Sequence, residues 1–257
     1  MSEALIETKN LTINFGGLKA VNDVSISVKK GLFTTIIGPN GAGKTTLFNL
    51  ISGLLQPNEG TVYFKGTDIT GLSPMKRVAM GIGRSFQLTN VFPNLTVHEN
   101  VRLSMQSREK TGYKIFTSYK SYPALEEEAS MLLKQVLLDD KMYSPAGSLN
   151  HGEQRKLELA MVLGMKPDIM LLDEPTAGMA LEEVPAMFDL LEKTKKEQQN
   201  TVLLIEHKMD LVTRLSDTVI VMVNGSILTE GTAAEVSDNP DVLEAYLGGG
   251  ILNGATA

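Results

Sequence analysis

The run Gly38-Pro39-Asn40-Gly41-Ala42-Gly43-Lys44-Thr45 constrains this chain more than any other stretch of it. Glycines at that spacing let successive backbone N–H groups turn towards one point, and a helix that follows adds the positive end of its dipole. The lysine and hydroxyl that close the loop, Lys44 and Thr45, are placed to reach the β- and γ-phosphates of a nucleotide and a Mg²⁺ ion. Such a loop needs a strand before it and a helix after it. Thr34-Thr35-Ile36-Ile37 reads as a short buried strand, and a helical stretch follows from Lys44 to about Ser52, so the context excludes a mere glycine-rich turn.

What surrounds the loop narrows the class. In 257 residues there are 24 Lys+Arg against 30 Asp+Glu, a formal charge of −6, which suits a globular chain and is a poor match for nucleic acid. There is no cysteine, hence no disulfide, thiolate metal site or cysteine nucleophile. The three histidines, His98, His151 and His207, lie too far apart in sequence to suggest a zinc site. Glu3, Glu7 and Lys9 with no apolar core between them are not a secretory signal. Apolar runs such as residues 219–223 fall far short of the roughly 20 residues that span a bilayer, so a soluble chain is expected, with any membrane contact made through a partner.

Strands alternating with helices predict an α/β core with a largely parallel sheet. Residues 5–15, 24–28 and 61–64 read as strands, with hairpin turns expected at Lys30-Gly31 and Lys65-Gly66. Leu125, Ala129, Leu132, Leu133, Val136 and Leu137 recur at helical spacing, with Glu126–Glu128 as a solvated outer face, so residues 97–148 form a mainly helical insert. Residues 169–172 and Thr201–Ile205 are continuous apolar strands with a helix between them. Asn224-Gly225 predicts a type I′ hairpin, and Thr232-x-x-Glu235 a capping box. The methionines are expected to fill the core, and His98 and His151 to sit at the surface or against a partner.

Two further motifs carry chemistry. The strand Ile169-Met170-Leu171-Leu172 ends in Asp173-Glu174, and a strand's C-terminal end is where open α/β sheets bind ligands. Asp173 there can hold Mg²⁺ directly or through water, and Glu174 can orient and polarise a water. Leu149-Asn150-His151-Gly152-Glu153-Gln154 opens a helix with an N-cap and capping-box pattern, and a helix N-terminus with a glycine for close approach is also an anion site.

Over nearly its whole length the chain resembles the ATPase subunits of ABC transporters. The loop at 38–45, the acidic strand end and residues 149–154 look like that family's Walker A, Walker B and signature motifs. Phe15 is similar to its adenine-stacking aromatic, with Val21 beside it; Gln87 in Arg84-Ser85-Phe86-Gln87 to its Q-loop glutamine; and His207 in Leu204-Ile205-Glu206-His207 to its switch histidine. More narrowly, residues 14–21, 92–101, 173–179, 206–210 and 245–248 resemble the ATPase subunits of branched-chain amino-acid importers and their amide and urea relatives.

The resemblance implies a P-loop NTPase core of α/β class with an antiparallel β-subdomain and a helical subdomain at about 90–165. One ABC ATPase domain would span 1–248, leaving 249–257 as a flexible tail. ATP and Mg²⁺ are the implied cofactors. In a head-to-tail dimer, ATP would lie between Gly38, Pro39, Asn40, Gly41, Ala42, Gly43, Lys44, Thr45 and Thr46 of one chain and Asn150, His151, Gly152 and Glu153 of another. Glu174 is expected to activate water, His207 to sense or position the γ-phosphate, and Gln87 to link metal or water to the transmembrane partner, with Thr45, Gln87 and Asp173 as the metal set. The implied partners are transmembrane permease subunits, a second ATPase subunit of the same or a different kind, and indirectly a solute-binding protein. No nucleic acid is expected, and the location would be the cytoplasmic face of the cell membrane.

Two positions depart from the family pattern. The signature usually begins Leu-Ser, and position 150 is Asn; the D-loop aspartate position is Ala180. The competing reading is a soluble ABC-type ATPase acting as a nucleotide switch outside transport. Such relatives usually carry two ATPase modules or coiled-coil insertions, which this chain lacks. Lys44, Asp173, Glu174 and His207 argue against a degenerate, non-hydrolysing subunit.

Overall fold

The computed structural model describes residues 3–85, 91–108, 123–198 and 200–247. In chain order the elements are β1 (Ala4–Phe15), β2 (Leu18–Val24), β3 (Ser27–Lys29), β4 (Phe33–Ile37), α1 (Lys44–Ser52), β5 (Glu59–Phe64), β6 (Thr67–Asp68), α2 (Pro74–Met80), β7 (Ile82–Arg84), α3 (Val97–Arg108) and α4 (Pro123–Gln135). They continue as α5 (His151–Gly164), β8 (Ile169–Asp173), α6 (Val184–Gln198), β9 (Thr201–Ile205), α7 (Met209–Leu215), β10 (Thr218–Val223), β11 (Ser226–Gly231), α8 (Ala233–Ser237) and α9 (Pro240–Leu247).

Two sheets result. The antiparallel one runs β2-β1-β5-β6, with β3 also on β1; the other runs β11-β10-β4-β9-β8-β7 and is parallel apart from the β10–β11 hairpin. Every residue of β4, β8 and β9 is buried, because both faces of a parallel sheet are covered. The alternation shows which way each side chain goes. Ile169, Leu171, Leu203 and Ile205 pack with Leu47, Phe48 and Ile51 of α1 and with the antiparallel sheet, whereas Met170, Leu172, Val202 and Leu204 pack with the helices α3 to α7. The core thus fixes β4, β9 and β8 side by side, and their C-terminal ends carry the chemistry.

Several expectations change on folding. Residues 24–28 are not one strand: the chain breaks at Ser25 and Ile26, where the buried Thr8 hydroxyl donates to the Val24 carbonyl (3.1 Å) and accepts from the Ile26 N–H (3.0 Å). Lys30-Gly31 is no hairpin, since it passes the chain from β3 in one sheet to β4 in the other. Leu137 is 63% exposed because it adopts φ 58° and ends the helix, with the Leu138 N–H returning to the Leu133 carbonyl. Glu126 and Glu128 are not a free solvated face. Glu126 meets Arg102 and His98, Glu128 meets Arg108 and Lys166, and His98 itself is buried with Nε2 3.1 Å from the Glu126 carbonyl. The methionines divide: Met105, Met170, Met187 and Met222 are in the core, whereas Met75 and Met131 are exposed.

The other local readings hold. Lys65-Gly66 joins β5 to β6 with φ of 50° and 73°, and Asn224-Gly225 joins β10 to β11 with φ of 49° and 81°, as type I′ turns require. Both capping boxes form, Asn150 with Glu153 and Thr232 with Glu235.

Candidate active site

Two glycines in the loop after β4 leave no room for a larger residue. A Cβ on Gly38 would stand 2.1 Å from the Met222 carbonyl oxygen, and one on Gly43 2.3 Å from that of Ala20. Gly43, at φ 97°, is the residue before α1 and offers no side chain to cap it, so the first N–H groups of that helix stay open towards the cleft. Lys44 is buried, and its ammonium donates to the carbonyls of Gly38 (2.7 Å) and Pro39 (2.9 Å). Burial pulls its pKa below the ordinary lysine value, while Glu174 and Asp173 pull it back up.

Those carboxylates end β8. Asp173 is buried, and neither of its oxygens has a hydrogen-bond partner; the Arg84 guanidinium stands 3.8 Å away. Burial pushes the Asp173 carboxyl above the usual carboxylate range, with Arg84 and Lys44 opposing. A buried carboxylate with both oxygens unmet, within electrostatic reach of Lys44, has the donor chemistry that a hard oxygen-seeking cation such as Mg²⁺ takes. Glu174 continues the strand by donating its N–H to the Ile205 carbonyl (3.0 Å), but with φ 48° it leaves the strand's line and sends its side chain into the cleft. His207 follows the adjacent β9 and brings Nε2 to 2.6 Å from Glu174 Oε1.

Sequence reasoning missed what holds this pair. Glu206 is buried; it accepts from the Thr176 hydroxyl (2.8 Å) and from the N–H groups of His207 (2.8 Å) and Lys208 (3.2 Å). One carboxylate therefore ties the segment after Glu174 to the segment carrying His207. The only signal in the sequence was an acid at the end of an apolar strand.

The cleft has a volume of about 610 Å³, and residues 40–46, Glu174 and His207 line it. Its far end is formed by Leu18, Lys19, Ala20 and Asn224. Val21 does not reach it: alternation along β2 turns Val21 into the core beneath, where it is fully buried, and Ala20 faces the cleft instead. Phe15 pairs with Leu18 across the Gly16-Gly17 turn and is half exposed beside the cleft rather than in its lining. Asn150, His151, Gly152 and Glu153 form the cap and first turn of α5 and are not in the lining either, so one chain brings the phosphate loop and the Glu174–His207 pair together and leaves the start of α5 apart. Gln87 lies outside the described residues.

Comparison with known proteins agrees with this geometry. A family model described as ABC transporter matches residues 21–177, and one described as branched-chain amino acid ATP-binding cassette transporter matches residues 226–251. The high-affinity branched-chain amino acid transport ATP-binding protein BraF of Pseudomonas aeruginosa is 39% identical over 253 residues, covering 96% of this chain and 99% of its own length. LivG of Escherichia coli strain K12, of the same description, is 35% identical over 255 residues, again covering 96% and 99%. Among solved structures, the ADP conformation of MJ1267, an ATP-binding cassette of an ABC transporter, superposes with a TM-score of 0.81 at 33% identity, covering 96% of this chain and all 100% of that one. The dimeric post-hydrolysis state of the cassette MJ0796, bound to ADP and Pi, gives 0.76 at 28% identity, covering 89% and 98%. With a nucleotide-sized cleft, a complete phosphate loop and relatives matched end to end, this chain belongs to the ABC transporter ATPases, among the ATP-binding cassettes of the branched-chain amino acid group.

Proposed function

We propose that this chain is the ATP-hydrolysing subunit of an importer for branched-chain amino acids or related small amides or urea. It would work as a head-to-tail dimer beneath transmembrane permease subunits, with a solute-binding protein supplying the solute. The names of BraF and LivG support the solute class. Among the described residues no helix is long and apolar enough to cross a membrane, which fits attachment through permeases at the cytoplasmic face of the cell membrane. The observation that carries the reading is the placement of Glu174 and His207 on the rim of the cleft floored by residues 40–46, with α5 absent from its walls. A second copy would have to bring that helix.

In this reading the open N–H groups at the start of α1 and the Lys44 ammonium hold phosphate oxygens, Lys44 leaving its two carbonyl partners to do so. Mg²⁺ held by Thr45, Asp173 and Gln87 would neutralise charge on the terminal phosphates. Glu174 accepts the proton of the attacking water, and His207 holds the carboxylate in place and faces the γ-phosphate. The adenine end would rest at Leu18, Lys19, Ala20 and Asn224, with Phe15 folding over it. No covalent intermediate is needed; positioning and charge stabilisation suffice.

The test is Mg²⁺-dependent ATPase rate against protein concentration, for wild type beside Glu174→Gln. A rate rising more steeply than linearly, and lost in the variant, is expected. A strictly linear rate would overturn the homodimer, and a variant with normal turnover would overturn the role of Glu174.

A further inference from the structure

Both departures from the family pattern, Asn150 and Ala180, touch the same side chain. Glu183 stands at the start of α6, where its carbonyl accepts from the Met187 N–H. Its Oε1 accepts from the Asn150 side-chain amide (3.3 Å), and its Oε2 from the Ala180 backbone N–H (3.3 Å). The carboxylate also lies against the first turn of α5: a Cβ on Gly152 would be 2.3 Å from Glu183 Oε2. An anion at the positive end of a helix is favourable. An aspartate at position 180 would set a second carboxylate beside Glu183, whereas alanine leaves only its N–H there.

The geometry points to Glu183 as a resident anion that occupies the signature helix N-terminus until nucleotide phosphate displaces it. This rests on the dimer reading above, in which that N-terminus meets the terminal phosphate held by the partner copy. A phosphate seated over Gly152 would meet the Glu183 carboxylate directly, so closure of the dimer moves that carboxylate away and frees the Ala180 N–H. Both contacts, at 3.3 Å, are at the long end for hydrogen bonds, as a displaceable side chain requires. Glu183 is a positioning residue: it sets the ATP concentration at which two copies close, and it does so by charge.

The experiment measures ATP-driven dimerisation by sedimentation in a Glu174→Gln background, with and without Glu183→Gln, alongside nucleotide affinity at low protein concentration. Glu183→Gln keeps the shape and one of the two acceptor oxygens but removes the charge, so the salt dependence of its effect separates the charge from the lost contact. The ATP midpoint for dimerisation should fall about tenfold, with low-concentration affinity unchanged, and the gap should narrow as salt is raised to about 1 M. Glu183→Ala should lower the midpoint as well, with a lower melting temperature from the lost contacts. Equal midpoints with and without Glu183→Gln, or a salt-independent gap, would overturn the proposal while leaving the dimer intact. Failure of the Glu174→Gln protein itself to dimerise would be the separate failure of the homodimer reading, and would take this proposal with it.

Discussion

His207 Nε2 stands 2.6 Å from Glu174 Oε1, and the two side chains arrive there from the ends of adjacent parallel strands whose register pairs Asp173 with Ile205. Because the bond links two groups proposed for one step, their removal should not add. Glu174→Gln should keep ATP binding and lower kcat by about 10²- to 10⁴-fold, the range of a positioned general base. His207→Ala should lose about as much, and the double variant no more than Glu174→Gln alone. Single-turnover rates at saturating ATP read all three. Multiplying losses would mean that the two residues act separately.

The Glu206 clasp makes a prediction about kcat without KM. Thr176→Val deletes one of three donors to a buried carboxylate and leaves the cleft lining untouched. It should cost roughly 1–2 kcal/mol of stability and lower kcat about tenfold through the loosened His207 segment, with KM for ATP little changed. A rise in KM with kcat intact would place Thr176 in binding instead.

Two glycines of the phosphate loop should respond differently to one methyl group. Gly41 sits at φ 80° with nothing within 4 Å of the position a Cβ would take, so Gly41→Ala meets only backbone strain, about 1 kcal/mol. Gly43→Ala meets the same strain and the Ala20 carbonyl at 2.3 Å, so the loop must shift. Nucleotide titration should show a modest loss for the first and loss of measurable binding for the second. Equal behaviour would mean that the loop is free to move away from β2.

What the sequence disclosed and what it hid follow from how local each signal is. The phosphate loop, the two capping boxes and the Asn224-Gly225 type I′ turn depend on neighbours within a few residues, and each appears where the pattern puts it, whereas of the two Lys-Gly turns only Lys65-Gly66 closes a hairpin. The strands β4, β8 and β9 were readable because full burial leaves an unbroken apolar run. The break after Val24 was not, since it is made by the side chain of Thr8 from another strand. Val21 was carried into the site by its place in a motif, and only the alternation of β2 turns it into the core and exposes Ala20. Glu206 and Glu183 were hidden for a related reason. Their side-chain partners, Thr176 and Asn150, lie 30 and 33 residues away, and an acid in a sequence does not say which loop it will fasten.

Glu158 on α5 offers a test of stability against pH away from the phosphate loop. Its side chain is buried beside Ser85, Oε2 accepts from Arg155 (2.9 Å), and Oε1 has no partner. Burial pushes its pKa above the ordinary carboxylate value, and Arg155 pulls it only part of the way back. The folded state therefore binds this proton more readily than the unfolded state does. The ionised form costs stability at every pH above the raised value, and that cost is relieved as pH falls through it towards the ordinary value. Glu158→Gln removes the charge while its amide oxygen keeps the bond to Arg155; its amide nitrogen replaces an unmet carboxylate oxygen with a less costly unmet donor. At neutral pH the variant should be more stable by about 1 kcal/mol, roughly 2–4 °C in melting temperature. Thermal unfolding of both proteins at neutral pH and near pH 5 should show that advantage shrinking on acidification. A variant less stable at neutral pH, or an advantage that grows as pH falls, would mean that Arg155 more than compensates the buried charge.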